Sequence, residues 1–267
     1  MFILHGDPTS EVVPFLCQGL AIGLTGPSLY TRPMKKLFPC AIILLALSGC
    51  AEDCVVGTGQ AEQRTLAVAP FTAIEVEGSI DVIIEKGTSQ EVVVEAPPAL
   101  IPLLKTEVRD GKWTISTTKC WTSMGTFVVH ITTPLINNID LEGSGSATAA
   151  DVFGAGDIQL SSSGSGAITL NNVVAKKIVV EADGSGTVNI SGTCAQLSAS
   201  LSGSGDFNGK GLTANTADIS SEGSGNASIT AITTLEASVQ GSGTISYAGK
   251  PNVSSSVDGS GAVIPVE

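Results

Sequence analysis

Ile178-Val179-Val180-Glu181-Ala182-Asp183-Gly184-Ser185-Gly186-Thr187-Val188-Asn189-Ile190 decides the fold. Apolar and polar residues alternate on both sides of the Gly-Ser-Gly, the period of a β-strand with one buried face. Ile178, Val180 and Ala182 share a parity with Val188 and Ile190, so both glycines fall inward and Ser185 outward. Two structures would explain this. Either the core at that level has no room for a side chain, or a glycine at positive φ turns a corner.

Outward from this stretch the motif recurs at near-even spacing. Gly-Ser-Gly copies open at Gly143, Gly164, Gly184, Gly203, Gly223, Gly241 and Gly259. Their third positions are Gly145, Gly166, Gly186, Gly205, Gly225, Gly243 and Gly261. A Gly/Ser linker would lack apolar alternation. Here it recurs, as in Leu197-Ala199-Leu201 and Leu235-Ala237-Val239. A fixed period of about 20 residues marks stacked units, each burying its apolar face against its neighbours. At about 3.3 Å per residue, one unit makes a coil of about 65 Å perimeter. Short segments such as Leu170-Asn171-Asn172 and Ser191-Gly192-Thr193 are expected to close each coil as turns. The expected fold is all-β: a right-handed parallel β-helix, or solenoid, of about six coils over residues 139–264. The seven serines are expected to align as an outward ladder.

Residues 71–134 are strand-rich but irregular and are expected to cap the first coil. Ile74, Val76 and Gly78-Ser79 look like a degenerate first copy, with Ile80 in place of the second glycine. Asp110-Gly111 signals a hairpin. Residues 99–104 suit one short helical turn.

The other half of the organisation is an address. Lys35 and Lys36 precede an apolar run from Leu37 to Leu47, too short to span a bilayer. Leu47-Ser48-Gly49-Cys50 then resembles a bacterial lipobox, in which Cys50 is acylated and becomes the mature N-terminus. The expected organisation is a signal peptide at 34–49, an anchor and linker at 50–70, and the domain at 71–264. Residues 1–33 read as an upstream extension from a start placed too early. The expected location is the bacterial envelope, as an outer-membrane lipoprotein facing either the periplasm or the outside.

From Cys50 on, 10 basic and 23 acidic residues give a net charge of −13. This disfavours nucleic acid and any anionic surface beyond the lipid anchor. In an exported protein disulfides persist, and Cys54 with Cys120 is the expected pair. Cys194, inside a repeat, reads as a small core residue or a free thiol.

Catalytic signals are weak. After Cys50 the one histidine is His130, on a strand surface. No nucleophile elbow, zinc spacing or phosphate loop accompanies it. No cofactor or metal is expected. Asp183 and Glu222 precede Gly-Ser-Gly copies two coils apart, about 10 Å, a spacing close to that of inverting glycosidase carboxylates. A solvated polar stripe explains them as simply. The segment from Thr117 to Gly125 resembles a binding loop, because Trp121 and Met124 stand among turn residues. Alternatively Trp121 folds back on the cap.

The lipobox, Cys54-Val55-Val56-Gly57-Thr58-Gly59, Phe71-Thr72-Ala73-Ile74-Glu75-Val76 and the Gly-Ser-Gly copies together resemble the putative auto-transporter adhesin head GIN family. The resemblance implies a β-helical envelope protein, often a lipoprotein, and carries over no catalytic residues. The expected function is a lipid-anchored, non-catalytic surface for adhesion or interaction, with a glycan or an envelope or cell-surface protein as partner. A polysaccharide-active enzyme and a passive periplasmic scaffold or sensor component are the alternatives. The sequence leaves the oligomeric state open.

Overall fold

Parallel strands stacked in register make up most of the molecule. A computed structural model of the protein describes residues 54–151, 154 and 156–266. The expectations for residues 1–33, the signal peptide and Cys50 lie outside them.

The cap comprises β1 (Val55–Gly57), β2 (Glu62–Leu66), β3 (Ala73–Gly78), β4 (Asp81–Lys86), β5 (Glu91–Ala96), β6 (Val108–Arg109), β7 (Lys112–Ile115), β8 (Trp121–Ser123) and β9 (Val128–Thr133). The solenoid follows as β10 (Asn138–Gly143), β11 (Ser146–Ala150), β12 (Asp157–Gly164), β13 (Ala167–Gly184), β14 (Thr187–Gly203), β15 (Asp206–Gly223), β16 (Ala227–Gly241), β17 (Thr244–Ala248), β18 (Asn252–Gly259) and β19 (Ala262–Pro265). It makes about six turns. The described residues contain no α-helix; the expected helical turn is a 3₁₀ turn at Ile101–Leu103.

Both explanations of the Gly-Ser-Gly parity hold, one for each glycine. The first glycine turns the corner, with φ between 109° and 125° in all seven copies. The second points into the core, and a Cβ there would strike the carbonyl oxygen of the coil before. Gly145, Gly166, Gly186, Gly205, Gly225 and Gly243 are accordingly buried. The serine between them is exposed in every copy. Its backbone N–H donates to the first-glycine carbonyl of the preceding coil, at 2.8–2.9 Å in all seven. At five corners the second glycine's N–H converges on the same oxygen. Glycine therefore serves two purposes here: backbone freedom at the corner and close approach between coils.

Register then builds the core in columns. Leu141, Ser162, Ala182, Leu201, Ser221 and Val239 stack in line, large against small. Such alternation fills the interior without overpacking. Ser162 and Ser221 are buried there, and Ser221 Oγ donates to the Gly225 carbonyl at 3.0 Å, satisfying the hydroxyl at the next corner.

One expectation needs correction. The segments at 170–172 and 191–193 do not interrupt the strands. β13 runs unbroken for 18 residues and β14 for 17, with register shifts between Leu170 and Val173 and between Asn189 and Gly192. A bulge bends the chain while the ladder resumes on either side of it. Asn172 at φ 56° and Gly192 at φ 131° supply the bend.

The cap ends the stack by changing strand direction. β3 lies in parallel register with β10, so Gly78 aligns with Gly143, and β4 aligns with β11. Below them β7 and β9 continue in parallel with β3 and β4. β5 then pairs antiparallel with β9, and β2 antiparallel with β5. Trp113 closes this end, fully buried, with its indole N–H on the Lys105 carbonyl at 3.0 Å and its ring 5.4 Å from that of Phe71. Ile80 occupies the position of a second glycine, yet its side chain is buried without conflict. The reason is that β7 and β9 are not joined by a corner beneath it: residues 116–127 leave the stack.

Candidate functional site

Residues 116–127 replace the corner that a regular coil would place under Gly78-Ser79-Ile80. The detour is held by a second, two-stranded sheet, in which β8 pairs in parallel with β1: Val55 with Trp121, Val56 with Thr122, Gly57 with Ser123. A disulfide joins Cys54 to Cys120 at the start of that sheet. The Val55 N–H donates to the Cys120 carbonyl at 3.0 Å and extends the ladder by one bond. At the far end Ser123 Oγ accepts the Gly125 N–H at 3.0 Å and closes a tight turn.

Trp121 and Met124 divide between the two expectations for this loop. Trp121 is half-buried, its ring 5.0 Å from that of buried Phe127 and tilted by 58°. Met124 is completely exposed, as no other large hydrophobic residue in the described chain is. Two hollows flank the loop. One, of about 840 Å³, runs from Ser79 and Asp81 past Trp121 to Phe127. The other, of about 480 Å³, lies between Val56, Thr58 and Met124.

The long exposed face of the solenoid is the second candidate. The column Glu142, Ser163, Asp183, Ser202, Glu222, Gln240, Asp258 is register-aligned and solvent-exposed throughout. The serine ladder Ser144 to Ser260 runs beside it. Asp183 and Glu222 stand two strand spacings apart across Ser202, about 9.6 Å. The cap lengthens this column in a way the repeat spacing conceals: Glu77 aligns directly with Glu142, although β4 to β9 lie between them in sequence. Behind it, Lys112 Nζ sits 2.6 Å from Asp140 and 3.6 Å from Glu75, tying β7, β3 and β10 together across the cap boundary. The hydrogen bond to Asp140 raises the Lys112 pKa, so the lysine stays charged.

The remaining titratable candidates stand apart from both of these surfaces, on the cap and in the core. His130 lies 3.6 Å from Glu95 on the cap surface. Cys194 is buried, between Ala175 and Ala214 in register, and burial pushes its thiol up to about 11. Among the described residues no three His, Cys, Asp or Glu side chains group as metal ligands.

The model of the family "Putative auto-transporter adhesin, head GIN domain" matches residues 70–251. The chain belongs to this family. Three solved structures share the GIN domain's fold. A putative adhesin from Bacteroides fragilis superimposes with a TM-score of 0.72 at 23% identity, covering 79% of this chain and 100% of its own. A putative adhesin from Parabacteroides merdae gives 0.63 at 22%, covering 80% and 100%. A protein from Parabacteroides distasonis described as a putative lipid binding protein gives 0.64 at 22%, covering 80% and 99%. No curated protein is significantly similar to this GIN domain. The family match takes in Trp121 and Met124 as well as the exposed column from Glu142 to Gln240.

Proposed function

We propose that this GIN domain is a lipid-anchored envelope protein whose solenoid serves as a rigid, non-catalytic surface for adhesion or interaction. The observation that carries this is the register-locked, exposed face of serine and acidic columns. Seven corners hold those columns at one strand spacing. A surface of that kind suits repeated weak contacts with a repetitive partner, such as a glycan or an envelope protein, where many small terms add through multivalency. Membership of a putative adhesin family supports the same function. The lipobox at Cys50 supports the anchor.

The test has two arms. Metabolic labelling with a clickable fatty acid is expected to mark the wild type and not Cys50→Ala. Protease treatment of intact cells is expected to remove the solenoid; protection until lysis would place it inside and overturn surface adhesion. Failure of the purified domain to retain any glycan or envelope component would overturn the interaction role.

A further inference from the structure

We infer that the β1–β8 edge of the cap, bearing Val56 and Met124, is the surface on which the domain rests against the lipid bilayer beside its own anchor. This rests on acylation of Cys50, as proposed above. Covalent geometry sets the distance. Cys50 and Cys54 are four peptide units apart, so their Cα atoms are separated by at most about 15 Å. The disulfide fixes Cys54 to Cys120, and hence to β8. An acyl chain buried in the bilayer therefore holds this sheet within one short tether of the headgroups, whose layer is itself roughly 5–8 Å deep.

The chemistry of the edge fits that position. Met124 is fully exposed and Val56 is 59% exposed, and they line the same hollow with Thr58 and Gly125. In a chain with 25 acidic residues, that hollow has no charged residue in its lining. Trp121, paired with Val55 on the core-facing side of the same two-stranded sheet, lies one sheet thickness behind this face and reports on its surroundings. Attraction to anionic lipid plays no part, given the overall negative charge, so the contact is apolar and interfacial and depends on the anchor to hold it in place. A soluble partner would have to compete for this face with a bilayer that the tether keeps close.

Tryptophan quenching tests the seating. Full-length protein purified with its lipid is reconstituted into phosphatidylethanolamine–phosphatidylglycerol vesicles with or without bromine on the upper acyl chain. Emission is expected to fall in the brominated vesicles and to stop falling in Trp121→Phe, because the remaining Trp113 is sealed in the cap. Val56→Ser with Met124→Ser, both at exposed positions, is expected to reduce the quenching while acylation persists by mass. Acylated wild type with equal emission in both vesicles overturns the seating alone and leaves the edge to a soluble partner. Absence of acyl mass on Cys50 overturns the anchor and the seating together.

Discussion

Ser224 donates its backbone N–H to the carbonyl oxygen of Gly203 at 2.8 Å, across one full coil. Gly225 donates to the same oxygen at 3.1 Å. That shared acceptor lies where a Cβ on Gly223 would have to go, so the hydrogen bonds that join the coils also exclude a side chain from that glycine position.

Gly184→Val tests this at one corner. Gly184 has φ 115°, and its Cβ would meet the Gly164 carbonyl. A β-branched residue there combines a forbidden conformation with a backbone clash, a loss of about 4 kcal/mol or more. Thermal melting is expected to drop by roughly 10 °C. Exposed Ser185→Ala, one residue on, is expected to change stability by no more than about 0.5 kcal/mol.

The cap corner reverses the rule. Ile80 aligns with a glycine position but is buried, so Ile80→Gly empties core volume and is expected to cost about 4 kcal/mol in denaturant unfolding. If Ile80→Gly were neutral or stabilising, the detour of residues 116–127 would not be what admits the side chain.

The disulfide closes a loop with a sequence separation of 66. Loop-closure entropy puts its contribution near about 4 kcal/mol, before any loss to residual structure in the unfolded chain. Replacing Cys54 and Cys120 together by Ala is expected to lower stability by about 2–4 kcal/mol. Limited proteolysis should then cut first within residues 116–127.

Cys194 predicts an alkaline limit. Its thiol is raised from 9.0 to about 11 by burial, so the folded state holds its proton where the unfolded chain releases it. That stabilisation is complete below pH 9 and is lost as pH rises through about 11. Cys194→Ala, matching Ala175 and Ala214 on either side, is expected to flatten the fall in melting temperature over that window. A thiol reagent at neutral pH should leave Cys194 of the folded protein unlabelled.

The solenoid was legible because its rules are local. Alternation through Ile178, Val180 and Ala182 and the fixed spacing of the glycines reflect the same physical repeat, so both could be read along the chain. The fold adds which glycine turns and which is pinched, a distinction that needs the neighbouring coil. The bend at Asn171-Asn172 looked like a chain break because polar pairs mark turns, whereas a bulge uses the same residues and keeps the ladder. Within the candidate site, Trp121 and Met124 could be singled out by residue type. Their unlike exposures depend on Phe127 and on pairing with β1, far away in sequence. The alignment of Glu77 with Glu142 was hidden because the cap inserts far more chain between two stacked strands than a single repeat does.

At each Gly-Ser-Gly corner the donors belong to the later coil and the acceptor to the earlier one. The two ends of the stack are therefore chemically unlike: the first coil offers acceptors to its neighbour and the last offers donors. The cap finishes the N-terminal end by turning its last strands antiparallel, so the unlike ends cannot join two copies head to tail through the same ladder.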